Sequence, residues 1–243
     1  MSVVVKKGSR APILLLLAGL LLAAQGCAHR EKASVPKEAL EGIRTILVIG
    51  FKPAILPGQE RGMVRNPVTG ALRYADPVPQ DAADKLTQDL LSRLVRAGGY
   101  VFIPPREATS PSSFTRSRSG ERADLDLYIQ IGESLAADAF LAGSIWRWKE
   151  RRGGDLSVES PASVDFDLFL VRLDDRAMVW KYEYDKTQQS LAENFLDLRT
   201  FVRAKGKWLT AFDLAELGIE EIVDSFPKKG VEKGTTDDRH PGD

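Results

Sequence analysis

Apolar and polar positions recur along this 243-residue chain with periods that lay out most of a fold before any chemistry is considered. Ile46, Leu47, Val48 and Ile49 form an apolar run within residues 43–51, short enough for a strand buried on both faces, which predicts a central strand. From 81 to 98 the period becomes helical. Ala83, Leu86, Leu90 and Leu94 share one face, Asp81 is placed to cap it, and Gly98-Gly99 is placed to end it. Residues 100–103 read as a short strand closed by Pro104-Pro105, and a helix from about 124 to 136 leads into a strand at 139–150.

Strands at 157–173 and 177–187 follow that one through short connections near Gly153-Gly154 and at Asp174-Asp175-Arg176, the pattern of an antiparallel meander. In the middle strand Val164, Phe166, Leu168 and Leu170 alternate with Asp165, Asp167, Phe169 and Val171, predicting one buried face and one partly wet. In the last, Trp180, Tyr182 and Tyr184 alternate with Lys181, Glu183 and Asp185. Ser190 with Glu193, and Thr210 with Asp213, have capping-box spacing, and the second opens a helix with Ala215, Ile219, Ile222 and Phe226 on one face. The order predicts an α+β fold: a mixed sheet with an antiparallel three-strand meander, and helices packed on the sheet.

Between these elements lie two long loops. Residues 52–79 hold five prolines and the turn sequence Asn66-Pro67-Val68-Thr69-Gly70, and residues 106–123 are rich in serine and arginine. Patterning runs from about 43 to 226, on the scale of one domain. Residues 227–243 have Val231 as their one apolar side chain and read as a disordered tail, and 27–42 read as a polar tether.

The head of the chain has a different character. Lys6, Lys7 and Arg10 precede an apolar run from Ala11 to Ala24, too short to span a bilayer that needs about 20 apolar residues, so 1–26 read as a cleavable secretory signal. The run ends at Ala24-Gln25-Gly26-Cys27. Small residues before a cysteine here resemble the lipobox of bacterial lipoproteins, which implies acylation of Cys27, with palmitate among the acyl groups, and a lipid anchor. Several chains on one cysteine give stable membrane attachment where one chain is marginal. Ala28 stands where an aspartate would signal retention at the inner membrane, so the resemblance implies the outer membrane, facing the periplasm.

Charge and chemistry narrow the reading further. Removing residues 1–26 takes away three basic residues and no acid, leaving 31 Lys and Arg against 34 Asp and Glu, too balanced to attract nucleic acid. The two histidines, His29 and His240, sit in the tether and the tail, and Cys27 is the one cysteine, so neither a Ser-His-Asp triad nor a zinc site is expected. Glycine-rich phosphate loops are absent, and no cofactor is expected. Asp165 and Asp167 lie roughly 6 to 7 Å apart on one strand face, which suits either a glycosidase-like pair or a solvated face. Ser225 and Lys228 have serine-lysine nucleophile spacing, but Pro227 breaks the helix between them. Arg116, Arg118 and Arg122 could grip phosphate or sugar carboxylate groups of the cell envelope, with peptidoglycan one such partner, or sit in a mobile segment. Trp146 and Trp148, two apart on one strand, could share a ligand-binding face, although an aromatic stripe at this spacing also suits a core.

The stretch from Ile131 through Gly132, Ala137-Asp138-Ala139, Leu141 and Gly143-Ser144-Ile145 is similar to a helix-to-strand junction in one family of periplasmic domains. That family comprises TolB amino-terminal domains, the curli secretion lipoprotein CsgG and the synthase activator LpoB. The segments 167–173 and 177–180 resemble its paired strands, where a turn precedes an apolar-Trp step. The resemblance implies a non-catalytic protein-interaction module in envelope assembly or secretion, docking another envelope protein or itself. A pore is disfavoured because every strand is already needed by the sheet. A cell-wall glycan-binding module, or a hydrolase using Asp165 and Asp167, are the alternatives.

Overall fold

A computed structural model describes residues 37–105, 123–154, 158–189 and 207–228. After a 3-10 turn at Lys37–Leu40, strand β1 (Thr45–Pro53) runs through the middle of the domain. The chain continues through a hairpin of β2 (Gly62–Arg65) and β3 (Leu72–Ala75), helix α1 (Gln80–Ala97), β4 (Val101–Ile103), α2 (Ala123–Ser134) and β5 (Ala139–Lys149). A short ribbon of β6 (Arg152–Gly153) and β7 (Val158–Ser160) precedes β8 (Ser163–Arg172), β9 (Met178–Thr187) and α3 (Ala211–Ser225). The main sheet has the order β4-β1-β5-β8-β9. β1 is parallel to β4 and β5, while β8 is antiparallel to both β5 and β9. The expected α+β architecture, a mixed sheet carrying a three-strand meander, is the one the chain forms.

One face of this sheet is covered by α1 and α3. Leu86, Leu90 and Leu94 of α1 and Leu214, Ile219 and Ile222 of α3 close over Phe51, Val164, Phe166, Leu168 and Leu170, all nearly or fully buried. Phe166 meets Phe51 edge-on at 5.3 Å and stacks on Tyr184 at 5.1 Å, while Phe226 packs edge-on against Trp180 at 5.2 Å. Trp180, Tyr182 and Tyr184 are therefore part of this core or packed against it. Helix α3 opens with the expected capping box: Asp213 N–H donates to the Thr210 hydroxyl at 3.1 Å, and Thr210 N–H donates to the Asp213 carboxylate at 3.1 Å.

The opposite face is covered as well. α2 lays Ile129 and Ile131 over Leu47, Phe140, Phe169 and Val171, and the β2–β3 hairpin covers the rest of β8's exposed side. β8 is consequently buried along both faces up to Val171, and the expected partly wet face is a correction: Asp165 and Asp167 are 8% and 1% exposed. Other departures are local. Residues 52–79 contain a hairpin rather than loop alone, and 157–173 divides into β7 and β8. Asp81 does not cap α1. Pro79 holds that position without a side-chain bond, and Asp81 sits in the first turn, paired with Lys85 at 3.2 Å.

The junction that carries the family resemblance has a structural reason at two positions. Asp138 accepts the backbone N–H groups of Arg44 and Thr45 at 2.8 Å each, tying the start of β1 to the start of β5. A Cβ on Gly143 would lie 2.6 Å from the Asp167 carbonyl oxygen and 2.7 Å from the Phe51 ring.

Candidate functional site

The polar half of the second face is built around an irregularity in β5. Between Ile145 and Arg147 the pairing with β8 shifts register, so Trp146 is an extra residue in β5. A bulge of this kind re-aims side chains and releases carbonyls from the ladder. Both consequences are seen. Ala54 N–H donates to the Ile145 carbonyl at 3.0 Å, and Asp76 N–H donates to the Trp146 carbonyl at 2.8 Å, so both ends of the segment carrying the hairpin are stitched to the bulge.

The shift also separates the two tryptophans. Trp148 pairs with Val164, packs half-buried against the first core, and donates from its indole to Glu150 at 3.2 Å. Trp146 instead lies with Asp167 on the second face, 1% exposed, its indole N–H donating to Asp167 Oδ2 at 2.8 Å. The expectation that Trp146 and Trp148 share a ligand-binding face is corrected by this single inserted residue.

Arg73, on the inner side of β3, reaches across to β8. Its Nη1 donates to Asp167 Oδ2 at 3.0 Å and its Nη2 to both oxygens of Asp165 at 2.9 and 3.1 Å, while the guanidinium lies 4.8 Å from the centre of the Trp146 ring. Asn66 completes the cluster from the hairpin turn. Its Nδ2 donates to Asp167 Oδ2 at 2.9 Å, and its Oδ1 accepts the N–H groups of Val68 and Thr69, an arrangement that sets the turn by a side chain standing in for backbone. The remaining oxygen of Asp167 accepts Ser144 N–H at 3.1 Å. Arg147 donates to Ser163 at 2.7 Å, pairs with Asp185, and lies 3.9 Å from Asp165.

Burial governs the electrostatics of this cluster. Asp167 is pushed up to about 6 by loss of solvent, with the indole, guanidinium and backbone donors opposing the shift. Asp165 is raised for the same first reason, again opposed by Arg73. Removing a carboxylate from water is expensive unless it is paired and hydrogen-bonded, and each of these is.

Three donors converge on Asp167 Oδ2 and both carboxylates lie under the hairpin, so the expected solvated face is corrected, and both members of the sequence-predicted carboxylate pair are bonded to Arg73. Ser225 donates its hydroxyl to the Ile222 carbonyl at 3.1 Å, at the end of α3. Cys27, Arg116, Arg118, Arg122 and the Ser190–Glu193 spacing lie outside the described residues. Among the described residues no group of three or more His, Cys, Asp or Glu is placed to hold a metal, and no helix is long and apolar enough to cross a membrane.

The hairpin's other side is its most unusual surface. Met63 pairs with Tyr74 and Arg65 with Leu72 across the two strands, and Met63, Leu72 and Tyr74 are 61%, 57% and 56% exposed. Alternation about the Asn66–Gly70 turn could have revealed both this face and the inward position of Arg73.

No protein-family model matches the chain, and no curated protein matches it in sequence. Solved structures with a similar course of chain include the PelC dodecamer from Paraburkholderia phytofirmans, 13% identical over 81% of this chain and 94% of that one, with a TM-score of 0.44. Lipoprotein GNA1162 from Neisseria meningitidis is 15% identical over 66% of this chain and 92% of its own, at 0.38. The LpoB C-terminal domain from Salmonella enterica is 15% identical over 62% and 91%, at 0.35.

Proposed function

We propose that this chain is a lipid-anchored protein of the bacterial envelope, held at the outer membrane through Cys27, whose domain acts as a non-catalytic protein-interaction module. The observation that carries the reading is the state of the Asp165 and Asp167 pair, the acidic constellation best placed in sequence for chemistry. Both carboxylates are committed to Arg73, and what that commitment builds is a fixed hairpin with an apolar outer face. Rigid, partly apolar surfaces of this kind suit docking, because little freedom is lost on association.

The test combines location with association. Labelled palmitate should enter the wild-type chain and not a Cys27→Ala variant, and the variant should move from the outer-membrane fraction of a density gradient to the soluble periplasm. Chemical crosslinking in the native envelope should give adducts with at least one other protein. A chain that takes up no label, or remains monomeric under crosslinkers of several lengths, would remove the corresponding half of the proposal.

A further inference from the structure

The hairpin can be taken one step further, and this step rests on the proposed interaction role. We propose that the outer face of β2 and β3 is the docking surface, and that its occupant is a short apolar segment of another envelope protein flanked by acidic residues.

Three observations select that occupant. The first is charge. Residues 60–76 carry Arg61, Arg65 and Arg73 against Glu60 and Asp76; Arg73 is turned inward and neutralised by Asp165 and Asp167, and Asp76, 9% exposed, is held by Lys149 at 3.2 Å and lies 3.9 Å from Arg61. Arg65 shares the exposed side with Met63, Leu72 and Tyr74, and Arg61 lies beside them with 67% of its side chain exposed. An apolar strip edged by arginines is complementary to an apolar strip edged by carboxylates, and tyrosine, methionine and arginine are the residue types enriched where proteins meet.

The second is size. Three large side chains on a four-residue ribbon present on the order of a few hundred Å², well below the roughly 800 Å² per partner of a standard stable interface. That area is too small to hold a second copy face to face, yet suits a single segment. The third is position and stiffness. The 3-10 turn at Lys37–Leu40 is held at the Arg172 end of β8, where Arg172 donates to the Ala39 carbonyl at 3.3 Å, whereas the hairpin is clamped at Asp165 and Asp167. Arg172 and Asp165 are roughly 23 Å apart at ~3.3 Å per residue. The 3-10 turn therefore lies at the end of β8 away from the hairpin. A fluid bilayer would not require a ribbon bolted down by an arginine, two aspartates, an indole and an asparagine. A shape-specific protein segment benefits from it.

Photo-crosslinking decides this. Benzoylphenylalanine is placed singly at Met63, Leu72 and Tyr74, with Lys85 and Lys181 as exposed control positions, in the full-length acylated chain in its native envelope, and crosslinked peptides are identified by mass. The proposal expects adducts at least tenfold stronger from the hairpin positions than from the controls, mapping to an apolar peptide of another protein with Asp or Glu beside it. Joint Arg61→Glu and Arg65→Glu replacement should lower the yield about tenfold, with a melting temperature within 2 °C of wild type. Adducts to lipid, to this chain's own peptides or to a segment without acidic flanks would overturn it, as would equal yields from the controls. Crosslinks to an envelope protein from the controls alone would sink this inference and leave the interaction role standing; protein adducts from none of the positions would sink both.

Discussion

The two faces of the central sheet solve the same burial problem with different chemistry. On the first, α1 and α3 bring leucine, isoleucine and aromatic rings against Phe51, Val164, Phe166 and Leu168, and the few buried polar contacts are neutral ones, Phe51 N–H to the Thr87 hydroxyl and the Tyr184 hydroxyl to the Leu214 carbonyl among them. On the second, the apolar half under α2 is ordinary, but the half under the hairpin sets beside a small apolar cluster of Ile55, Val64, Ala75 and Trp146 an ionic one of Arg73, Asp165 and Asp167 with Asn66 and the Trp146 indole. An apolar contact tolerates small shifts in direction. A bidentate arginine on two carboxylates does not, so the polar solution fixes where the hairpin sits and how it is turned.

The comparison breaks first at Phe166. Its ring is fully buried and meets Phe51 on one side and Tyr184 on the other, so Phe166→Ala should lower unfolding free energy by about 3 to 5 kcal/mol in urea titration. The loss should be nearly the same at pH 5 and pH 7, since the rings it meets, Phe51 and Tyr184, belong to neither carboxylates nor histidines. A loss below 1 kcal/mol would mean the first face is not the main core.

Arg73→Met tests the other face. It leaves Asp165 and Asp167 buried with no cation from the hairpin, and because Arg73 is itself 28% exposed the expected loss is about 2 to 3 kcal/mol, below that of a fully buried pair. Unlike the first variant, this one should depend on pH. Protonated carboxyls do not require a cation, so the deficit should shrink from pH 7.5 to pH 4.5. Protease cleavage within 54–75 should rise in step with it. A pH-independent loss would show that Arg73 acts through packing on Trp146 alone.

A smaller effect follows from Asp167 in the wild-type chain. Folding raises its pKa from an ordinary 3.8 to about 6, so the folded state binds its proton more tightly than the unfolded state does. The contribution is favourable and fully present below about pH 4, and it is lost as pH rises through 6, with a slope of at most about 1.4 kcal/mol per pH unit. Asp167→Asn should remove that slope while lowering stability overall, because an amide cannot accept from all the donors now facing the carboxylate. Parallel stability curves for the two proteins between pH 4 and 7 would refute the assignment.

How legible each face was in sequence follows from the range of its interactions. The first face was legible because its signals are local: the period of two in β8 and β9, the helical period in α1 and α3, and the capping box at Thr210 and Asp213 lie within a few residues of one another. On the second face Asp165 and Asp167 alternate with apolar neighbours as they would on a solvated strand. What makes them buried is Arg73, 92 and 94 positions away. Trp146 and Trp148 show the same limit on a shorter scale. Two positions apart is the spacing of a shared face, and only the register of β5 against β8 reveals that a bulge has put them on opposite ones.

The smallest expected effect sharpens the contrast most. Met63, Leu72 and Tyr74 share the hairpin with Arg73 but point away from the cluster, so their chains are mostly in water already and bury little on folding. Replacing each by Gln should change unfolding free energy by less than about 0.5 kcal/mol, against the several-fold larger loss for Arg73→Met on the same hairpin. If the outer side chains are retained for docking, these replacements should still abolish the crosslinked adduct in the native envelope. A triple variant that melts as wild type and crosslinks as wild type would leave the outer face without a role. One that melts well below wild type would place it in the fold instead, covered by a part of the same chain.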